Sequence, residues 1–125
     1  VLLSKAEALI ETNQDIDGAV TLINRIRTER TDVKITPLPM GLSQAQAREK
    51  LRHERRIEFF GEGINWADIK RWNTGPDIYP VQVRAADGGL IETKFALGYK
   101  ERDNLLPIPD GERSLNKNLT QNPGW

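Results

Sequence analysis

The chain contains no cysteine and a single histidine among its 125 residues. Without cysteine it can form no disulfide, no thiolate nucleophile and no cysteine-based zinc site. The histidine, His53, lies among charged residues, and no second histidine is available to share a metal ion with it. A zinc site is therefore not indicated, and no motif supports a serine–histidine triad built on His53.

An excess of charge of either sign is also absent. The chain has 18 basic and 18 acidic side chains, which give a formal net charge of zero. A generic nucleic-acid binder would carry a basic excess, and an anionic lipid surface would attract one, so neither partner is indicated. No apolar run approaches the length that spans a bilayer. With 38% hydrophobic residues and a mean hydropathy of -0.56, the composition fits one globular domain, or part of one, with a modest core.

The first thirty residues predict a helical hairpin. Apolar residues recur at helical spacing from Val1 to about Glu11, and again in a second helix that runs to about Arg30 and is capped by Asp15 or Asp17. Two amphipathic helices joined by so short a link must pack antiparallel, as in tetratricopeptide-type repeats. A single hairpin cannot bury its own apolar stripe. We therefore expect residues 1–30 to pack on helices outside this chain and to expose that stripe when these are absent.

Two further helices are predicted in residues 43–72. Ser43 begins the first, since Gln46 three residues later completes a capping box. Gly61 and Gly63 break or kink this helix, and a short second helix continues to Trp72. The segment 73–77, with its Gly-Pro pair, ends it.

The second half of the chain predicts a different kind of structure. Residues 81–95 form a candidate β-hairpin around Asp87-Gly88-Gly89. Residues 98–125, called the strap below, predict irregular chain, because Pro107 and Pro109 hold the backbone extended. Asn122-Pro123-Gly124 is a turn signal, and we expect the large aromatic Trp125 behind it to be tied down. The fold class is mainly α, with a hairpin and an irregular strap.

Three patterns could be read as chemical sites. Asn13, Asp15, Asp17 and Gly18 imitate the opening of a calcium loop, but the twelfth position is Asn24 where a bidentate glutamate is required. A turn between helices with an aspartate cap explains the same residues better. The helix from Gln44 to Phe60 carries a basic excess of two, which suits a solvated or ion-paired face, with Lys50 opposite Glu54, better than a phosphate site.

The third pattern is a set of carboxylates that could serve glycoside hydrolysis: Glu58, Glu62 and Asp68. Their spacing in sequence does not establish the separation that such chemistry needs. Structural roles near helix ends are favoured, because a carboxylate there can accept from free backbone N–H groups. We predict no catalytic residue and no metal or other cofactor.

Five aromatic side chains could stack on a sugar or a base, because aromatic faces bind the apolar faces of sugars: Trp66, Trp72, Tyr79, Tyr99 and Trp125. For Trp66 and Trp125 we expect packing roles. Trp72 and Tyr79 flank a Gly-Pro loop, and recognition concentrates in loops. These two residues are the candidates for ligand binding.

Four stretches, taken in order, resemble the C-terminal part of the SusD/RagB family. The first is Ala6-Glu7-Ala8 with Ile23-Asn24-Arg25-Ile26-Arg27, and the second is Glu54-Arg55-Arg56-Ile57-Glu58-Phe59. The third runs from Glu62-Gly63 to Asp68-Ile69-Lys70-Arg71-Trp72. The fourth is Leu106-Pro107-Ile108-Pro109 with the closing Gln121-Asn122-Pro123-Gly124-Trp125. Each motif is common by itself, but their order and spacing are specific and cover nearly the whole chain.

Two positions depart from the family pattern. Asn65 stands where arginine is usual, which removes an expected ion pair with Asp68 or Glu62, and Gly61 replaces a bulky apolar residue, which should loosen its helix. The chain begins at Val1 without an initiator methionine, and we expect the missing part to precede Val1 and Trp125 to be the natural end. On this view residues 1–125 are the C-terminal part of one SusD-like domain.

The resemblance implies a non-enzymatic protein that captures glycan, or another nutrient such as peptide, on the surface of the outer membrane of Bacteroidetes. It implies delivery to a SusC-type TonB-dependent transporter, and a lipid anchor on an N-terminal cysteine that this chain lacks. The family's ligand contacts vary among members, so none is carried over to a residue here. The alternative is a helical-repeat scaffold that binds protein and has no role with sugar.

Overall fold

The computed structural model describes residues 1–29, 33 and 35–125. In chain order the helices are α1 Leu2–Glu11, α2 Ile16–Glu29, α3 Gln44–Glu58, α4 Ile64–Arg71, α5 Gly75–Ile78 and α6 Asp110–Leu115. The strands are β1 Val81–Arg84 and β2 Leu90–Lys94, and a 3₁₀ helix covers Glu101–Asn104. The mainly helical fold with one small sheet is confirmed. By their internal contacts the residues form two compact units, Val1–Asn65 and Trp66–Trp125.

The core of the first unit is formed by α1, α2 and α3. The buried side chains come from all three helices and form one cluster: Leu3, Ala6, Ile10, Ala19, Ile23, Ala47 and Leu51. Burying a leucine or isoleucine contributes roughly 1.5–3 kcal/mol relative to leaving it in water. The expectation of an exposed apolar stripe on residues 1–30 is wrong, because α3 of the same chain covers it with Ala47 and Leu51.

Local signals in the sequence set the helix starts. The Asp15 carboxylate accepts from the Gly18 backbone N–H at 2.7 Å, so Asp15 caps α2. At α3 the predicted capping box is present in both directions: the Ser43 hydroxyl accepts from the Gln46 N–H, and the Gln46 side chain accepts from the Ser43 N–H at 2.9 Å. The α2 helix is described from Ile16 to Glu29, and Arg30, its predicted last residue, lies outside the described residues.

Side chains of α2 fix the segment that leads to α3. The Asn24 amide donates to the Leu38 carbonyl at 3.0 Å and accepts from the Leu38 N–H at 2.7 Å. Asp17 accepts from the Gly41 N–H at 2.8 Å, and Arg27 donates to the Thr36 carbonyl at 2.9 Å. The roles of these polar residues are therefore structural, since each holds a described residue of the segment between α2 and α3 by a backbone contact.

Two charged residues of α3, Glu54 and Arg55, are buried where a solvated face was expected. Glu54 is 3% exposed and accepts from Arg27 of α2 at 2.6 Å. The predicted pairing of Glu54 with Lys50 is therefore wrong. The error arose because spacing along one helix does not show which neighbouring helix a residue faces. The α3 helix ends at Glu58, and both Gly61 and Gly63 have a positive φ, as the predicted break requires.

The sheet of the second unit is the predicted hairpin. Val81 pairs with Lys94 and Val83 with Glu92, and a bulge then sets Arg84 opposite Leu90. The strap is less irregular than predicted, since it contains the 3₁₀ helix and α6, and the segment 73–77 contributes the short α5. These elements are only four to six residues long. A helix of that length is too short for a helical spacing of apolar residues to predict it from the sequence.

The strap is held by the closing motif. Gln121 accepts from the Ile108 N–H at 2.8 Å and donates to the Ile108 carbonyl at 3.0 Å, so it pairs with an extended residue as a neighbouring strand would. Asn122 donates to the Leu106 carbonyl at 2.6 Å. The prolines on either side of Ile108 leave its N–H free for this contact. Within the described ranges, no helix is both long and apolar enough to cross a membrane.

Candidate functional site: an aromatic pocket

The second unit contains a pocket of about 430 Å³ with mostly aromatic walls. We call it the aromatic pocket, and its lining comprises Trp66, Tyr79, Phe95, Gly98, Tyr99, Asp103, Leu106 and Trp125. Small-molecule sites typically measure ~300–1,000 Å³ and combine apolar walls with few polar groups. The volume and lining are thus those of a binding site for a small molecule or for a short segment of a polymer.

The hairpin brings the first two rings together. Tyr79 precedes β1, Phe95 follows β2, and the pairing of Val81 with Lys94 places the two ends side by side. Their ring centroids lie 5.2 Å apart with the planes at 83°, an edge-to-face contact. Phe95 has a φ of 54°, a left-handed conformation that is costly for an aromatic residue. The bend after β2 therefore directs this ring back toward Tyr79.

Tyr99 forms the centre of the aromatic wall. Its ring stacks on Tyr79 at a centroid distance of 6.1 Å and 13° between planes, and Trp66 meets it edge-on at 6.0 Å. The Tyr99 hydroxyl donates to the Asn104 side chain at 2.6 Å. Gly75 of α5 lies against the ring so closely that a Cβ there would come within 2.5 Å of three ring carbons. The position of Tyr99 is thus fixed from several sides.

One carboxylate, Asp103, lines the aromatic pocket, and the Arg102 guanidinium lies 3.9 Å from it. Partial burial and then the neighbouring Asp103 carboxylate raise the pKa of Tyr99 above its ordinary value. Asp103 accepts from the Lys100 backbone N–H at 2.7 Å. Among the described residues that line the pocket, Asp103 is the single charged one.

Trp66 and Trp125 complete the walls, and each contacts a cation that is not part of the pocket lining. Lys70 lies 5.2 Å from the Trp66 ring centroid and Arg102 lies 4.6 Å from that of Trp125. The Trp125 indole N–H donates to the carbonyls of Leu105 at 2.9 Å and Arg102 at 3.1 Å. Trp125 is tied down as expected, yet it remains 45% exposed and Trp66 41% exposed.

The structure separates the two predicted ligand-binding candidates. Tyr79 lines the aromatic pocket, whereas Trp72 does not and instead has the Arg71 guanidinium 4.6 Å from its ring centroid. Trp66 and Trp125, for which packing was expected, both line the pocket. Tyr99, one of the five aromatic residues named from the sequence, also lines the pocket, whereas Phe95 and Asp103 were missed. Whether Trp72 or Tyr79 touches a ligand stays a prediction.

The other predicted sites have structural explanations in the residues that the structure describes. Asp15 and Asp17 of the calcium-like pattern accept from backbone N–H groups of Gly18 and Gly41. Asp68 is buried and accepts from the Arg71 guanidinium at 2.8 Å. Arg71 therefore supplies Asp68 with a cation in the same helix as Asn65, the position where the family usually has arginine. Glu62 is exposed. No group of three His, Asp or Glu side chains in the described ranges is arranged to hold a metal ion.

Comparison with known proteins gives the class. The model of the SusD family matches residues 1–125, so the chain belongs to this family. It is similar to the SusD-like protein P2 of Formosa agariphila, with 33% identity over the whole chain and 24% of that protein. It is also similar to a solved structure, a SusD-like protein from Bacteroides fragilis. There the TM-score is 0.77 and the identity 31%, over 99% of this chain and 24% of the other.

These matches confirm the resemblance to the SusD/RagB family. The chain spans about a quarter of the length of each of these two relatives.

Proposed function

We propose that this chain is part of a nutrient-binding protein that captures glycan without altering it. Membership of the SusD family is the observation that carries the proposal, because proteins of this family are binding proteins. The aromatic pocket supports it, since the partly exposed indoles of Trp66 and Trp125 in its lining can contact the apolar sides of sugar rings. The helical-repeat scaffold has no comparable support.

The proposal includes delivery to a SusC-type TonB-dependent transporter at the outer-membrane surface, where a lipid anchor would hold the whole protein. Capture without turnover agrees with the pocket chemistry, because glycoside hydrolysis commonly requires two carboxyl groups across the sugar. The described lining of the pocket supplies one, Asp103.

A glycan array probed with the full-length protein tests the capture directly. We expect binding to at least one plant, host or microbial glycan, and no release of reducing sugar when the bound glycan is incubated with the protein. Silence across the array would favour the scaffold or a peptide cargo, and released sugar would contradict the non-enzymatic part. Co-purification of the full-length protein with a SusC-type TonB-dependent barrel tests the delivery.

A further inference from the structure

We propose that a second pocket of the second unit binds the acidic substituents of a glycan, carboxylate or sulfate groups, through Lys100 and Arg102. This cavity measures about 550 Å³, and its charged lining is Lys100, Glu101 and Arg102. We call it the cationic pocket. The inference rests on the proposed function and deepens it, since it names a second binding site and the class of glycan that this site selects.

The 3₁₀ helix Glu101–Asn104 and the residues after it separate the two pockets. Residues three positions apart share one side of a 3₁₀ helix. Asp103 and Leu106 line the aromatic pocket, whereas Arg102 and Leu105 line the cationic pocket. The two pockets therefore lie beside one another, on different sides of one short segment, within the span of a single oligosaccharide.

The closing motif forms a second boundary between the pockets and orients Arg102. Trp125 lines the aromatic pocket, while Pro123 and Gly124 line the cationic one. The Arg102 guanidinium lies 4.6 Å from the Trp125 ring centroid and donates to the Gly124 carbonyl at 3.2 Å. A Cβ on Gly124 would lie 2.8 Å from the Arg102 Cβ, so the two residues pack closely. Arg102 is thus held in place before a ligand arrives, which lowers the entropy lost on binding.

Hydrogen-bond donors dominate the cationic pocket. The Arg102 guanidinium carries more N–H donors than its contact with the Gly124 carbonyl uses. Asn104 also lines the pocket, and its side-chain oxygen accepts from the Tyr99 hydroxyl at 2.6 Å, which leaves its NH₂ group to donate. Among the residues that the structure describes, the Lys100 ammonium forms no ion pair. Three side chains of the lining thus have donors to offer to a ligand.

The charge of the lining decides which ligand fits these donors. Lys100 and Arg102 supply two positive charges and Glu101 one negative charge, a net charge of +1 for the described lining. Asp103 lies 3.9 Å from the Arg102 guanidinium but lines the aromatic pocket instead. A carboxylate or sulfate group forms charge-assisted hydrogen bonds with both cations. A neutral sugar gains no such attraction, so the pocket favours glycans that carry uronate or sulfate groups.

Titration of the full-length protein with carboxylated, sulfated and neutral oligosaccharides tests this pocket. Hexagalacturonate carries carboxylates, κ-carrageenan hexasaccharide carries sulfates, and cellohexaose, xylohexaose and maltohexaose are neutral. We expect at least one acidic ligand to bind, and its affinity to fall at high salt, which screens the two cations. The neutral ligands should bind about tenfold more weakly. The acidic ligand that binds identifies the group, carboxylate or sulfate, that the pocket takes.

Charge variants separate ligand contact from a structural role. Lys100→Gln should weaken the acidic ligand about fivefold. Lys117→Gln removes the same charge at an exposed position outside both linings and should leave affinity unchanged. Glu101→Gln removes a repelling carboxylate and should strengthen acidic binding about threefold, a gain that loss of folding cannot produce. Arg102→Gln should weaken binding at least as much as Lys100→Gln, and the other variants keep the proposal testable if it fails to fold.

The outcomes distinguish the two proposals. If no ligand binds and the glycan array is silent, glycan capture fails and the cationic pocket with it. If neutral glycans bind at least as tightly as the acidic ones, capture stands and the cationic pocket is overturned. If an acidic glycan binds but Lys100→Gln matches Lys117→Gln, the ligand is held elsewhere and the pocket is likewise overturned. Tighter binding of hexaglutamate than of either acidic glycan overturns glycan as the occupant.

Discussion

The guanidinium of Arg27 lies 2.6 Å from the carboxylate of Glu54 and joins two sequence motifs of the SusD family across two helices. Arg27 ends the Asn24-Arg25-Ile26-Arg27 motif on α2, and Glu54 begins the Glu54-Arg55-Arg56 motif on α3. The side chains are 15% and 4% exposed, so the pair lies largely out of water. Two family motifs that are separate in the sequence are thus joined by an ion pair inside the first unit.

This pair yields a stability prediction. Glu54→Gln leaves the Arg27 charge without its partner in a buried position, and we expect a loss of about 3 kcal/mol in the free energy of unfolding. The matched control is Glu29→Gln, which breaks the exposed Arg25–Glu29 pair at 3.0 Å and should cost at most ~0.5 kcal/mol. Urea unfolding followed by far-UV circular dichroism measures both. Equal losses in the two variants would show that burial does not strengthen the Arg27–Glu54 contact.

A second prediction concerns the glycine behind the aromatic wall. In Gly75→Ala the new methyl group would lie within 2.5 Å of Tyr99 ring carbons, so the ring must move. We expect a loss of about 1–3 kcal/mol, as for other overpacked sites, together with weaker ligand binding. Gly111→Ala is the control, because nothing lies within 4 Å of its Cβ position. That variant should hold or slightly raise stability, since alanine favours helix α6. A Gly75→Ala protein as stable as Gly111→Ala would contradict the close packing.

A third prediction concerns the strap. Gln121→Glu replaces the amide that donates to the Ile108 carbonyl with an acceptor, and two acceptors would then face each other. We expect a loss of about 1–3 kcal/mol and faster amide exchange at Ile108. Hydrogen exchange measured by NMR reports both. Gln14→Glu, at an exposed position, controls for the added charge and should leave the Ile108 exchange rate unchanged. Unchanged exchange in Gln121→Glu would mean that other contacts hold the strap.

The Tyr99 phenol gives a prediction of pH dependence. Its pKa is raised in the folded protein above the ordinary 10.0, so the unfolded chain releases this proton more readily than the folded one. Stability from this group is therefore complete below about pH 10 and is lost as pH rises through the folded pKa. Tyr99→Phe should flatten the decline in melting temperature across that range. A decline of the same steepness in Tyr99→Phe would assign the effect to other groups.

The parts of the fold that sequence predicted are those with local causes. The Ser43–Gln46 box, the Asp15 cap and the turn at Asp87-Gly88-Gly89 each depend on residues a few positions apart. Longer-range relations were missed or misjudged. Spacing along α3 favoured Lys50 as the ion-pair partner of Glu54. In the structure Glu54 pairs with Arg27 of α2.

The aromatic pocket shows the same limit at the site. Its residues extend from Trp66 to Trp125, and no periodicity links positions so far apart. Only the hairpin offered a clue, because pairing Val81 with Lys94 brings Tyr79 and Phe95 together. Trp66 and Trp125 looked like packing residues because large aromatics are usually buried, and the structure leaves both partly exposed. Their exposure depends on how the strap and α4 fold, which the composition does not reveal.

The most direct test of the account is a crystal structure of the full-length protein with the tightest-binding oligosaccharide from the array. We predict a sugar ring in van der Waals contact with an aromatic side chain that lines the aromatic pocket. A bound oligosaccharide elsewhere on the protein, with the aromatic pocket empty or filled by other residues of the protein, would contradict it.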